Sequence, residues 1–366
     1  MKPVVMTLGD VCTKGSSNLA QKDLDGNSGE YEIYGASGLI KKVNFFHQEK
    51  PYISVVKDGA GVGRTMLLPA RTSVIGTMQY IIPNENIDIE YLYYAITYMD
   101  LSRYYMGAAI PHIYFKDYCK EKILVPDIDI QKAIAHKFRI IDGLITARQE
   151  QLAKLGELIA SRFIEMFGEI GTDKFGWGLF KIGDLCIINP KKSDDTRLSS
   201  ELDVSFVPMP AVSEHGDIDT SETRKYDEVK TGFTYFADDD VLFAKITPCM
   251  ENGKGCVARH LCNGIGFGST EFHVLRPTNK VNSVWVYAVT SFPKFREDAA
   301  NNMTGSAGQR RVPAVFLEHY KITLPPIELQ EQFAAFVEQT DKSKVAVQAS
   351  ITKCHYLTKK GVNTHA

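Results

Sequence analysis

The stretch Ile128 to Gly168, IDIQKAIAHKFRIIDGLITARQEQLAKLGELIASRFIEMFG, decides how the rest of the chain is read. Apolar residues stand at Ile134, Phe138, Ile141, Ile145, Leu152, Leu155, Ile159 and Met166. The steps alternate between four and three once Arg148 and Arg162 take their heptad slots. This spacing predicts one long amphipathic helix carrying a coiled-coil seam. Two arginines in such a seam imply a charged partner, register control, or a seam that is not closed along its whole length. Pro126 stops what precedes the helix, and Gly168 and Gly171 follow its last apolar residue. At about 1.5 Å per residue the rod would be roughly 60 Å long. By itself it reads equally well as a packing helix inside one large domain. A second, more polar stripe changes that: Ile327, Leu329, Phe333, Phe336, Val337, Val347, Ile351, Cys354 and Leu357, introduced by Pro325-Pro326 and ending near Lys360. The two helices are expected to pair.

A chain of 366 residues, 44% of them apolar, has the material for two domains or more. It contains no run of eighteen apolar residues and no charged-then-apolar leader, so a soluble, unexported, cytoplasmic protein without a membrane partner is expected. The seven cysteines are scattered without Cys-x-x-Cys spacing, even in the group Cys249, Cys256 and Cys262, and read as reduced thiols rather than a zinc site. With a formal net charge of −2, any nucleic-acid contact must come from local basic faces.

Outward from the central helix, the two flanking regions run the same programme. In residues 1–127, Tyr52 to Val56 reads as a buried strand entering the turn Gly59 to Gly63. Met78 to Ile82 is a further strand, and Asp88 caps a helix through Tyr91, Leu92, Ala95, Ile96 and Met99. In residues 172–326, Val241 to Ala244 enters the turn Asn252 to Gly255. Phe272 to Leu275 follows, and Asn282 or Ser283 caps a helix through Trp285, Val286, Val289 and Phe292. Residue identities line up as well. Leu8-Gly9-Asp10-Val11-Cys12 matches Ile182-Gly183-Asp184-Leu185-Cys186 at an offset of 174. Thr77 with Tyr94 to Thr97 matches Thr270 with Tyr287 to Thr290 at 193, and Pro126 to Gln131 matches Pro325 to Gln330 at 199. A growing offset means a shared frame with longer loops in the second copy. Globule, helix, globule, helix can fold into a pseudo-two-fold molecule with two non-identical heads. Duplex DNA with a split target fits that symmetry, since half-sites on one face lie within the span of such a rod. A two-headed protein-interaction scaffold fits it too.

At this point the residues resemble a family, the specificity subunits of type I restriction-modification enzymes (the HsdS family). The resemblance covers nearly the whole chain. It is carried by the Leu8-Gly9-Asp10 and Ile182-Gly183-Asp184 openings, by Asp240 to Gly255 (DVLFAKITPCMENGKG), by Gly305 to Pro313 (GSAGQRRVP), and by the two Pro-x-x-x-x-Gln helix starts. Gly107 to His112 resembles the Gly305 to Pro313 loop more loosely. The resemblance implies an α+β chain with two mixed α/β target recognition domains, residues 1–127 and 172–326. These alternate with a central helix, 128–171, and a distal helix, 327–366, that pair as an antiparallel coiled coil. It implies a non-catalytic reader of a bipartite double-stranded DNA target whose helices dock two modification (methyltransferase) subunits. Restriction and motor subunits would add cleavage. The reader would hold no cofactor or metal; S-adenosylmethionine, ATP and Mg would belong to the partners. Helix pairing and docking would use Ile134, Phe138, Ile141, Ile145, Leu152, Leu155, Ile159, Phe333, Phe336 and Ile351.

Candidate DNA contacts follow from side-chain chemistry. In the polar loop Gly305 to Arg311, the tip Gln309-Arg310-Arg311 carries the groups that read adenine and guanine edges, and Ser306 is small enough to let the backbone near a phosphate. Lys245 and Lys254 flank the strand and glycine turn of the same head, and Lys57 and Arg64 stand comparably in the first, where phosphate contact is reasonable. Lys41, Lys42 and Asn44 form a small basic cluster that reads equally as a solvated face. Other signals are weaker. Gly59 to Gly63 leads into another strand rather than a helix, and no Gly-Lys-Ser/Thr is present for a phosphate loop. Asn189-Pro190-Lys191-Lys192 lacks the second proline and the aromatic of a base-holding methyltransferase motif and reads as a turn. The enzymatic rival is Glu228-Val229-Lys230 with Asp219, a Mg-dependent nuclease pattern placed on what reads as a mobile polar loop, Ser221 to Lys230. His112 and His273 read as fold or loop residues.

Overall fold

The computed structural model describes residues 3–107, 111–306 and 308–365, with side chains of the last helix described through Thr358. It divides into two compact units: Met1–Glu150 with Val347–Ala366, and Gln151–Ala346. In unit 1 the strands are β1 (Val4–Thr7), β2 (Cys12–Ser16), β3 (Tyr31–Gly35), β4 (Gly38–Val43), β5 (Tyr52–Val56), β6 (Thr65–Leu68), β7 (Ser73–Val74), β8 (Met78–Pro83) and β9 (Lys122–Val125). The helices are α1 (Leu8–Val11), α2 (Ile89–Thr97), α3 (Phe115–Tyr118) and the first part of α4 (Ile128–Phe167). Unit 2 follows with β10 (Leu179–Lys181), β11 (Cys186–Ile188), β12 (Asp203–Val207), β13 (Thr223–Lys225), β14 (Thr234–Ala237), β15 (Val241–Ala244), β16 (Gly255–Val257), β17 (Ile265–Gly268), β18 (Phe272–Pro277) and β19 (Lys321–Thr323). Its helices are α5 (Ile182–Leu185), α6 (Tyr226–Val229), α7 (Ser283–Ser291), α8 (Pro293–Asn301), α9 (Ala314–His319) and the first part of α10 (Ile327–His365).

Both units use one topology. The main antiparallel sheet runs β2-β8-β5-β6 in unit 1 and β11-β18-β15-β16 in unit 2. Beside it lies a mixed sheet, three-stranded β4-β3-β7 in unit 1 and four-stranded β13-β12-β17-β14 in unit 2, and a ribbon, β1-β9 or β10-β19. The inner strands are buried along their whole length, β15 apolar throughout and β5 apolar but for Ser54. On β5, Ile53 and Val55 enter one core with Leu92 and Ile96, while Tyr52 and Val56 enter another with Tyr80. On β15, Val241 and Phe243 face the core that holds Trp285, and Leu242 and Ala244 the opposite one. Successive side chains of a strand point to opposite faces, so a strand covered on both sides reads as a near-continuous apolar run.

The repeat is exact in its main chain where the sequence match slips by a residue. Cys12 pairs with Pro83 as Cys186 does with Pro277, and Val56 with Met78 as Ala244 does with Phe272. Equivalent residues therefore stand 174 apart at Leu8 and Ile182, 188 at Val56 and Ala244, 194 at Met78 and Phe272, and 199 at Gln131 and Gln330. The helix pairing expected at 193 is corrected to 194: α2 and α7 begin after equivalent caps, Asp88 and Asn282, so Tyr94 corresponds to Ala288. Thr77 likewise corresponds to Glu271, not Thr270: Lys57 N–H donates to Thr77 O, and Lys245 N–H to Glu271 O. Met99 lies beyond the end of α2.

The glutamine of each Pro-x-x-x-x-Gln motif fastens the long helix to its unit. Gln131 is 1% exposed; its Oε1 accepts from Asp88 N at 2.9 Å, and its Nε2 donates to Pro126 O at 2.9 Å and Asn86 O at 3.1 Å. Gln330 is fully buried and repeats the set, accepting from Asn282 N at 2.9 Å and donating to Pro325 O at 2.9 Å and Lys280 O at 3.3 Å. One amide side chain satisfies three backbone groups where a helix cap meets a helix start, and the bond to the proline carbonyl is buried in both units.

Within each unit a part of α4 and a part of α10 come together. In unit 2 the rings of Phe163 and Phe167, late in α4, each lie 5.5 Å from Phe333, early in α10. In unit 1, Tyr98 packs on Phe138, early in α4, and hydrogen-bonds Thr358, late in α10. Along α10 one line of covered positions, Gln330, Phe333, Val337, Thr340, Lys344, Val347, Ile351, Cys354 and Thr358, alternates in steps of three and four, with Leu329, Ala334, Phe336 and Ser350 partly covered beside it. Leu357 is corrected out of the seam: it is 46% exposed, and Thr358 takes the covered slot, its Oγ1 satisfied by Cys354 O and His355 O. Ile134 and Phe138 of α4 form a cluster with Tyr91 and Tyr94 of α2.

Candidate nucleic-acid interface

In unit 2 the chain leaves β15 at Lys245, makes the loop Ile246 to Lys254, and returns on β16. Ala244 N–H donates to Lys254 O, closing the loop at its base. A second loop, Thr304 to Arg311, lies against the first: Ile246 and Arg311 form a bridge, Thr247 N–H donates to Arg310 O, and Thr247 Oγ1 donates to Gly308 O at 3.2 Å. Arg296 of α8 holds the first loop from beneath. Its guanidinium donates to Met250 O at 3.1 Å, Gly253 O at 3.2 Å and Lys254 O at 3.3 Å, and rests 4.5 Å from the ring centre of Phe243. Burial lowers its pKa to about 10.

The basic side chains at this rim are partly answered by carboxylates. Arg311 makes a two-pronged pair with Glu271, both N···O distances 2.8 Å, which draws the Glu271 carboxyl below its usual range. Arg310 is 3.4 Å from Glu251. Lys245 is half-buried beside Glu271 and Arg311, and burial lowers its pKa. Lys254 turns inward, Nζ to Met209 O at 3.4 Å. Ser306 and Gln309 are exposed. Behind them His273 is buried; its ring bridges Val312 O at 2.8 Å and Asn189 Nδ2 at 3.1 Å, and burial lowers its pKa.

In unit 1 the main chain repeats the rim. Val56 N–H donates to Arg64 O as Ala244 N–H does to Lys254 O, and Ile113 N–H to Lys57 O as Val312 N–H does to Lys245 O. Lys57 therefore corresponds to Lys245, Arg64 to Lys254, and His112, bridged to Asp58, to Arg311. Asp58 pairs with both Lys57 Nζ, at 2.7 Å, and the His112 ring. Arg64 is exposed and donates to Ala36 O at 3.0 Å. Lys41, Lys42 and Asn44 sit on or just after β4, with Lys41 Nζ on Leu24 O and Asn44 exchanging hydrogen bonds with Asn27. Of the loop Gly107 to His112, Ala108, Ala109 and Ile110 lie outside the described residues.

Ser221 to Lys230, expected as a mobile polar loop, is instead ordered as β13 and α6, with Val229 fully buried; its polar residues sit on the outer faces of real elements. Lys230 pairs with Asp227 at 2.6 Å, and Asp219 accepts Ser221 N–H at 3.0 Å, so Asp219, Glu228 and Lys230 do not converge as partners in these contacts. Among the described residues no group of three or more His, Cys, Asp or Glu could hold a metal ion, and no helix is long and apolar enough to cross a membrane. Asn189 is a turn residue with φ +52°, occupied with Val274 and His273. Sequence reasoning missed Arg296, Glu271 and Asp58, whose meaning depends on partners far along the chain. It also missed Arg71, an exposed arginine with φ +57°.

The model of the type I restriction modification DNA specificity domain matches residues 2–156 and 175–353. The type I restriction enzyme EcoEI specificity subunit of Escherichia coli is 42% identical over 155 residues, a stretch that is 41% of this chain and 25% of that relative's length. A solved type I restriction-modification S subunit from M. genitalium shares the fold at a TM-score of 0.54 and 14% identity, covering 99% of this chain and 95% of its own. A chain from a structure described as the basis of complex assembly and conformational transition of the type I R-M system does so at 0.57 and 15%, covering 100% and 97%. With the same fold present twice and both copies matched, the chain belongs to the family of type I restriction modification DNA specificity domains.

Proposed function

We propose that this chain is the sequence-recognition (specificity) subunit of a cytoplasmic type I restriction-modification complex, a reader with no chemistry of its own. Residues 1–127 and 172–326 act as two target recognition domains, each reading one half of a bipartite duplex target. Residues 128–171, between the two domains in sequence, and 327–366, after the second, form the helical pair. The observation that carries this reading is that the family match falls on both halves, each with the same main-chain closure of strand and turn at its rim. Lys57, Arg64, Lys245 and Lys254 supply phosphate contacts; Gln309 and Arg310 reach base edges, and Arg311 joins them from its place beside Glu271. Lys41, Lys42 and Asn44 extend the basic face of the first domain. Two methyltransferase subunits dock on the helices and bring S-adenosylmethionine, while restriction and motor subunits bring ATP and Mg.

The test is modification-sensitive sequencing of a host genome with and without the intact gene. A split motif, methylated on both strands and lost on deletion, is the expected result. Methylation unchanged by deletion, with no salt-dependent duplex binding by the chain and its co-purifying partners, would leave the scaffold reading in its place.

A further inference from the structure

Arg71 precedes the first paired residue of the strand that enters the small sheet of unit 1, and it holds a left-handed backbone, φ +57°. By the strand register the unit 2 counterpart of Arg71 is Ile265, which is extended at φ −132°, and the left-handed residues of that entry, Asn263 and Gly264, stand just before it at φ +53° and +69°. Glycine adopts this conformation without steric cost, whereas an arginine there must be held against a preference. Its main chain is tied, with Arg71 N–H on Gln48 O at 2.8 Å.

The side chain is held as firmly. The guanidinium lies 4.8 Å from the ring centre of Tyr31 and 5.3 Å from that of Phe46, and it donates to the Tyr31 hydroxyl. The two rings pack edge to face at 4.8 Å, which fixes the platform. No carboxylate among the described residues pairs with Arg71, although arginines 103, 139, 162, 197, 224, 276, 310 and 311 each have one. The residue is exposed, and Tyr31 is opposite Val43 on the sheet that carries Lys41 and Lys42. The surroundings orient an un-neutralised planar fork towards solvent at the cost of a disfavoured backbone.

A phosphate needs charge nearby, which a lysine on a relaxed backbone supplies; a base edge needs donors in fixed directions. Resting on the reading of unit 1 as a DNA half-site reader, we propose that Arg71 is a specificity-determining residue that reads a guanine edge through its paired N–H donors. The aromatic pair Tyr31 and Phe46 positions the fork.

The experiment selects duplexes from a randomised library with the full chain and its co-purifying partners, as wild type and as Arg71→Gly and Arg71→Lys, and reads the enriched motifs by sequencing. Arg71→Gly suits the left-handed backbone, so its melting temperature should equal or exceed that of the wild type. In both variants at least one guanine position in one half of the motif should lose about tenfold in discrimination while the other half is unchanged. Arg71→Lys should keep the salt dependence of the wild type. If the wild type enriches a split motif and folded Arg71→Gly enriches the same one, or if Arg71→Lys keeps full discrimination, the assignment is overturned alone. If the wild type, with its co-purifying partners present, enriches no motif, the half-site reading fails and the assignment falls with it.

Discussion

Unit 1 and unit 2 sort alternate residues of β5 and β15 into two cores in the same way, then part company at the strand ends. Unit 1 turns back at Arg64, while unit 2 takes two residues more to reach Lys254 and fastens the longer turn with three carbonyl contacts from Arg296. At the rim His112 with Asp58 stands where unit 2 has Arg311, which is answered by Glu271. Behind the rim, Gln79 of unit 1 occupies the strand position of His273 in unit 2. The difference teaches that main-chain hydrogen bonds keep the frame, while the side chains facing outward are free to diverge.

The strongest test of the shared frame is the pair of glutamines. Gln131→Ala and Gln330→Ala should each remove three hydrogen bonds and strand a buried proline carbonyl, costing about 2–4 kcal/mol by denaturant unfolding. A small effect in either one would break the equivalence. A smaller effect sharpens the contrast behind the rim. Burial depresses the pKa of His273 below the ordinary 6.5, so above pH 6.5 both folded and unfolded forms are neutral and stability is complete. As pH falls below 6.5 the unfolded chain takes up a proton that the folded site refuses, and stability drops until the folded pKa is passed. His273→Gln, which copies unit 1, should flatten that loss in denaturation curves at pH 7.5 and 5.5; an unchanged slope would remove His273 from the account. The smallest effect is expected on α10, where Leu357→Ser should stay within about 0.5 kcal/mol in thermal unfolding, because the side chain lies outside the seam. A larger loss would put Leu357 back into it.

The long helices and the repeat were legible because apolar periodicity and short identical runs are local signals. The stripe of α10 looked broken because Gln330, Thr340, Lys344 and Thr358 occupy covered slots, and a polar letter does not announce burial. Thr340 and Thr358 are tolerated there because each hydroxyl bonds a carbonyl one turn back. Phe163 and Phe167 escaped notice because they sit beside the heptad rather than on it, where the helix meets Phe333 and Trp285. The one-residue slip at α2 and α7 arose because Tyr-Ala-x-Thr recurs by chance one place away from the cap-to-cap register. In the candidate interface, residue types were readable but their partners were not: Arg311 meets Glu271 forty positions away, and Arg71 rests on rings from two other segments.

The seat that Gln131 and Gln330 provide has a consequence for how such a chain can change. Each amide meets main-chain atoms alone, and every amino acid but proline offers the same N–H and C=O. The joint is therefore blind to the identity of the residues it holds. A globule arriving by recombination with an unrelated outer surface would find its socket already cut, provided its cap residue came at the same height above the proline.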